Sequence, residues 1–260
     1  MASYKFVVIV GSMGSGKSYY TNELIGEYKK NGWLSIVYNL GKPTDFSQAR
    51  EIIPLTTAEH LRLLKDKEAR NSYKIDPFLF YYKELDGTLK KWQEITALPP
   101  LGIIGGAIKF PRLDSLSERL FFDVVFSYAS TAFIVFDDMK ASLTHGLKEE
   151  FRNLFSRVRH AGRNALEPTR RAQGVNIAII LHSLNDINPD LFTFITHIVM
   201  FKTAFEPDFS RFDINPKVKE EVKKCYNFLS NAPEHTHTIT NVMDNISSMQ
   251  KQVNKPYFSL

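Results

Sequence analysis

The chain has 260 residues, 43% hydrophobic and 23% charged, which provides for a substantial buried core and argues against general disorder. A net charge of +5 suits a polyanionic partner without specifying one, and the single cysteine, Cys225, excludes a disulfide framework and a multi-cysteine zinc site. The longest apolar runs, at 132–136 and 177–181, are far shorter than the roughly 18 to 20 residues of a bilayer span, and the start of the chain has no signal-peptide pattern, so the expected location is the cytoplasm.

Tyr4 to Val10 is an apolar, β-branched run that ends in a glycine-rich loop, and Ser18 to Lys30 follows with Tyr20, Leu24 and Tyr28 at helical spacing. That is strand, loop, helix. Leu34 to Leu40 predicts a second buried strand, stopped by Gly41-Lys42-Pro43. Residues 43–131 then leave the simple alternation as an insertion. Within it, Phe78 to Leu85 and Thr88 to Ile95 flank Asp86-Gly87, a pair suited to the positive-φ positions of a two-residue hairpin turn. Leu98 to Pro111 reads as loop, and Ser115-Leu116-Ser117-Glu118 forms a capping box for a helix reaching about Ala129. Ala132 to Phe136 predicts a third buried strand.

Gly146 to Arg163 predicts a helix with Leu147, Phe151, Leu154, Phe155 and Val158 on one face. Arg152, Arg159 and Arg163 fall within about 40° of each other on a different face. From Arg152 to Arg171 six arginines stand against one acid, Glu167, so the basic excess is local. Val175 to Leu181 is the fourth strand, Asn188-Pro189 starts a helix, His197 to Phe201 is the fifth strand, and Pro216 to Ser230 is a charged helix. Strands alternating with helices predict an α/β fold, a mainly parallel sheet with helices on both faces and ligands at the carboxyl ends of its strands.

Gly11-Ser12-Met13-Gly14-Ser15-Gly16-Lys17-Ser18 matches G-x-x-x-x-G-K-[ST] in full, between a strand and a helix, which is the context a phosphate-binding Walker A loop requires. The glycines let backbone N–H groups turn toward phosphates at the positive end of the helix. Lys17 would bridge the β- and γ-phosphates of ATP and Ser18 would ligate Mg²⁺, with Tyr19 the last residue of the expected contact set. Phe133 to Asp138 has the form of a Walker B segment, an apolar strand ending in two acids. Asp137 would hold the Mg²⁺ shell and Asp138 would orient or deprotonate the attacking water, a role that Glu149 or Glu150 is also able to fill. His182, just past the fourth strand, is placed to report the γ-phosphate, and Ser183 is the neighbouring option. The arginine face has three readings: an ordinary solvated surface, fingers inserted into a neighbouring subunit's site, or the lining of a channel for nucleic-acid phosphates.

These blocks resemble the FtsK–HerA superfamily of DNA-pumping ATPases, especially the viral and phage genome-packaging branch. The likeness rests on the loop at 11–18, the strand ending at Asp137-Asp138, and Arg171-Ala172-Gln173-Gly174 leading through an apolar strand to His182, with Arg157-Val158-Arg159-His160 upstream. It covers about residues 4–205, with 43–131 poorly matched, and departs where relatives carry Gln at the sensor position and many carry Glu in place of Asp138. The resemblance implies a RecA-like core, a homo-oligomeric ring of five or six subunits, and ATP-driven movement of double-stranded DNA through its centre. The leading reading is a core over 1–205 with a helical extension or tail over 206–260 that packages DNA into a preformed capsid at a virion vertex. Arg159 and Arg171 are the finger candidates on this likeness. A filamentous-phage assembly ATPase is a related alternative, a P-loop small-molecule kinase a more distant one, and a nucleotide-dependent scaffold a third. A GTPase reading fails for want of N-K-x-D.

Overall fold

A computed structural model describes residues 5–39, 46–51, 53–55, 57–66, 81–83, 86–91, 107–110, 131–137, 174–244 and 246–250. The first unit is β1 (Phe6–Val10), whose five residues are all buried, followed by α1 (Lys17–Lys30) and β2 (Leu34–Asn39). Then come β3 (Arg50–Glu51), β4 (Ile53–Pro54), α2 (Thr57–Lys65), β5 (Tyr81–Lys83), β6 (Leu89–Lys91) and β7 (Ala107–Phe110). The chain continues with β8 (Thr131–Asp137), β9 (Gly174–Leu181), α3 (Pro189–Phe192), β10 (His197–Phe201), α4 (Pro216–Ser230), β11 (His237–Asn241) and β12 (Ile246–Gln250).

Among the described residues, nine strands form one sheet in the order β12-β11-β10-β1-β9-β8-β2-β7-β3. Every pairing from β10 to β3 is parallel, and β11 and β12 add an antiparallel edge. Alternate residues of the central strands feed two cores, as a sheet buried on both faces requires. Val7, Ile9, Val37, Val135 and Ala178 pack with Tyr20, Leu24, Ile25 and Tyr28 of α1. Phe6, Val8, Val10, Ile134 and Ile179 pack on the other face with Leu191 and Phe192 of α3 and Val218, Val222, Cys225 and Leu229 of α4. Helices therefore cover both faces, and the α/β P-loop fold class expected from the sequence is the one found. No described helix is long and apolar enough to cross a membrane.

Two polar residues knit β1 into this core. Buried Asn176 accepts from Lys5 N at 2.8 Å and donates to Tyr28 Oη at 3.0 Å, joining β9, the start of β1 and the end of α1. Thr196 Oγ1 accepts from Phe6 N at 2.9 Å and donates to Phe6 O at 3.1 Å. Burial pushes the Tyr28 hydroxyl up to about 12, against the lowering effect of its bond with Asn176.

Three expectations change. The stretch read as loop before Pro111 contains β7, which pairs in parallel with β2, and β3 pairs with β7, so part of 43–131 belongs to the main sheet. The 78–95 hairpin forms between β5 and β6, but Lys83 pairs with Leu89, one residue out of step with a two-residue turn. Among the described residues of the turn only Gly87 takes positive φ, at 86°, while Asp86 Oδ1 accepts from Thr88 N in an Asx turn. The segment after 206 is not helical throughout, because β11 and β12 extend the sheet beside β10. The helices expected at 115–129 and 146–163 lie outside the described residues.

Candidate functional site

The loop from Gly11 to Gly16 joins β1 to α1 and is held by its own backbone. Gly11 N donates to Leu181 O at the end of β9, and Ser12 N donates to Lys202 O just past β10, at 3.3 and 2.8 Å. Ala204 N donates to Ser12 Oγ at 3.1 Å, and Thr203 Oγ1 donates to His182 O at 3.4 Å. Gly14 and Gly16 sit at φ 76° and 103°, where a Cβ is strained. Gly11 is fixed by space instead, since a Cβ there would stand 2.6 Å from Ser15 Oγ and 2.7 Å from Phe201 Cβ.

Lys17 is buried and folds back over the loop, donating from Nζ to Gly11 O at 2.5 Å and Ser12 O at 2.8 Å. Its ammonium is thereby held against the start of the loop. No side chain caps α1, and its first turn holds no acid; first-turn amides have no intrahelical acceptor, so this end of the helix is suited to an anion. Ser15 Oγ is buried with no hydrogen-bond partner among the described residues, a group whose isolation from water is costly unless a ligand satisfies it. The cradle fits a polyphosphate. Of the remaining contact set, Ser18 is half-buried, whereas Met13 and Tyr19 are 88% and 59% exposed.

Asp137 closes β8 and is buried, paired in register with Ile180 of β9. Because β9 lies between β1 and β8, and neighbouring strands are about 4.8 Å apart, loop and acid are separated by roughly 10 Å. That gap accommodates a terminal phosphate and a hydrated cation. Ser18 and Asp137 supply hard oxygen donors, and Mg²⁺ is ordinarily held by one or two carboxylates plus phosphate oxygens and water. The donor set suits that ion. Among the described residues no group of three or more His, Cys, Asp and Glu forms a separate metal cluster.

The residues at the end of β9 stand over the gap. His182 is exposed, while Ser183 is buried and its Oγ accepts from Asn185 N at 3.1 Å, capping the 3-10 turn at Leu184–Asp186. Asp138, Glu149, Glu150 and the arginines, including Arg159 and Arg171, lie outside the described residues. The structure therefore brings together the loop, Lys17, Ser18, Asp137 and His182 from the sequence expectation.

Sequence reasoning missed the far side of the loop. Phe201, Tyr20 and His237 form an aromatic cluster beneath it, with ring centroids 5.8 Å apart for Tyr20 and Phe201, 5.0 Å for Tyr20 and His237, and 5.2 Å for Phe201 and His237. Tyr20 Oη and both His237 nitrogens lack hydrogen-bond partners among the described residues. Burial, with a smaller effect from Tyr28, raises the Tyr20 hydroxyl well above its ordinary range. His235, just before β11, lies against Gly16, its Nδ1 3.2 Å from where a Cβ on that glycine would be. The local signal was Ala232-Pro233-Glu234 turning into the β-branched run around Ile239, but nothing in it pointed to residue 16.

No protein-family model and no curated protein sequence matches the chain. Solved structures do. The genome packaging NTPase B204 from Sulfolobus turreted icosahedral virus 2, in complex with ATP-gammaS, matches with a TM-score of 0.55 at 13% identity, covering 97% of this chain and 100% of its own. Its sulfate complex gives 0.57 at 15% identity over 98% and 100%. B204 from Sulfolobus turreted icosahedral virus, described as a DNA-packaging ATPase, gives 0.55 at 17% identity over 97% and 99%. Likeness over nearly the whole of both chains at such low identity establishes a shared fold.

Proposed function

We propose that this chain is an ATPase that moves double-stranded DNA, packaging a viral genome into a preformed capsid. The observation that carries the reading is a phosphate cradle facing Asp137 across β9, within a fold shared end to end with a genome packaging NTPase that binds ATP-gammaS. The loop at 11–18 acts as a Walker A segment and the strand ending at Asp137 as Walker B. The phosphates of ATP lie in the loop, where Lys17 exchanges carbonyl contacts for phosphate oxygens as the terminal group enters. Ser18 and Asp137 would hold Mg²⁺, and the chemistry it would supply there is neutralisation of charge on the phosphates. Asp138 is the base or orienter for the attacking water, and His182, at the end of the intervening strand, is the contact that distinguishes triphosphate from diphosphate.

In the FtsK–HerA manner, the chain works as a homo-oligomeric ring of five or six copies, with Arg159 or Arg171 of one subunit completing the site of the next. The remaining arginines grip the duplex backbone, and the capsid or portal vertex is the ring's docking partner in the host cytoplasm. The test is ATP turnover by intact protein and by Lys17→Ala, with and without duplex DNA, at low and moderate salt. DNA stimulation that fades with salt, and loss of turnover in Lys17→Ala, is the expected result. Phosphate transfer to a small acceptor with no dependence on DNA rejects the motor in favour of a kinase.

A further inference from the structure

The nucleotide's direction in the site follows from strand order. β9 and then Asp137 on β8 lie on one side of the loop, and β10 and β11 lie on the other. A triphosphate whose terminal group faces Asp137 must send its α-phosphate and nucleoside toward β10 and β11. This step rests on the cradle being the phosphate site, as proposed above.

Phe201 at the end of β10 pairs with His237 at the start of β11, so the segments beyond them, from Lys202 onward and back from Thr236, emerge at the same end of the sheet. Both touch the loop. The first is tied to Ser12 through Lys202 O and Ala204 N, and it presents Phe205, 66% exposed. The second lays His235 against Gly16. His235 is exposed, takes a left-handed backbone at φ 63°, and has no hydrogen-bond or ion-pair partner for its imidazole among the described residues. Histidine tolerates that backbone region better than most residues but still adopts it uncommonly, and held conformations of this kind concentrate at ligand sites. A planar group with no partner among the described residues thus stands beside the cradle on the side where the nucleoside leaves it.

We infer that His235 is a nucleoside-binding residue, packing its imidazole on the ribose and base of the bound nucleotide, with the turn at 203–205 as the opposing wall. The role separates from phosphate binding because inorganic tripolyphosphate has the charge of the nucleotide's tail and no nucleoside.

Isothermal titration of intact protein with ATP and with tripolyphosphate, each with Mg²⁺, tests it in the wild type, His235→Asn, His235→Gly and Lys17→Ala. Asn tolerates the left-handed backbone and Gly adopts it freely, so these variants remove the imidazole without forcing the turn. Both are expected to weaken ATP about tenfold, near the lower end of what an aromatic contact with a base is worth, while tripolyphosphate affinity stays within about twofold. Equal weakening of both ligands makes His235 a support for the loop and overturns the inference, as does unchanged ATP affinity. If Lys17→Ala binds tripolyphosphate as well as the wild type, the cradle itself is misassigned, whatever the His235 variants do.

Discussion

His237 offers a direct measurement of how the aromatic cluster seats the phosphate loop. Its side chain is fully buried against Tyr20 of α1 and Phe201 of β10, and burial pushes its pKa from 6.5 down to about 4. The unfolded chain therefore takes up a proton near pH 6.5 that the native chain refuses until about pH 4. Between those values the unfolded state binds more protons, so stability falls as pH falls. For this one group the loss relative to pH 7 is about 2 kcal/mol at pH 5 and about 3 kcal/mol at pH 4. His237→Phe keeps an aromatic ring of similar size and removes both the titration and two unpartnered polar atoms. At pH 7 the variant should be at least as stable as the wild type, with a gain on the order of 1 kcal/mol. From pH 7 to 5 it should lose about 2 kcal/mol less than the wild type does. The residual slope includes His197, lowered to about 4 by burial and by the Lys5 charge against the opposing effect of Asp244. Urea unfolding at pH 7 and pH 5, with slopes compared to verify an unchanged transition, supplies the numbers. A variant whose stability falls as steeply as the wild type's refutes the burial argument.

Three further substitutions divide the site from the scaffold. Gly16→Ala places a Cβ at φ 103° and 3.2 Å from His235 Nδ1, so it should cost about 1–3 kcal/mol in thermal unfolding and weaken ATP and tripolyphosphate together in titration. Asn176→Leu removes the acceptor of Lys5 N and the amide donor to Tyr28 Oη, and chemical unfolding should show a loss of about 2–3 kcal/mol, with nucleotide affinity little changed where the fold persists. Asp137→Asn removes the carboxylate from the proposed Mg²⁺ donor set, so ATP turnover should fall about 100-fold or more while nucleotide binding in EDTA is retained.

Strand identity was largely legible in the sequence because the central strands are buried on both faces and read as unbroken apolar runs, as in Phe133 to Phe136 and Ile177 to Leu181. The end of α3 that needs a cap was legible for a local reason too: Asn188 Oδ1 accepts from Asp190 N, with Pro189 in the first turn. β7 was hidden because only four residues pair, directly after Gly105 and Gly106, where composition speaks for loop. β11 was hidden by polarity. Its Thr238 and Thr240 are buried beside β10 and α4, and threonine at such positions reads as surface unless the neighbouring strand is known. The cradle was legible because eight consecutive residues build it, whereas the contact of His235 with Gly16 spans more than 200 residues of sequence and has no motif.

Along the carboxyl edge of the sheet the order β10, β1, β9, β8 follows the proposed nucleotide from nucleoside to terminal phosphate. His235 and the turn at 203–205 stand at the first position, the glycine loop with Lys17 at the second, His182 at the third and Asp137 at the fourth. The chain visits these strands in another order, β1, β8, β9, β10, which is why motifs point to the proposed phosphate and metal ends while the proposed nucleoside end emerges only from pairing. The cradle's backbone bonds to Leu181 and Lys202 join it to the strands on both sides. The loop is thus ordered before any ligand arrives, and little binding energy goes into arranging it. Affinity for the phosphate tail should then be nearly independent of exposed side chains around the site, leaving base preference to the β10–β11 side and hydrolysis to the β9–β8 side. Substitutions of His235 and Asp137, on opposite sides of the loop, should accordingly combine additively in binding.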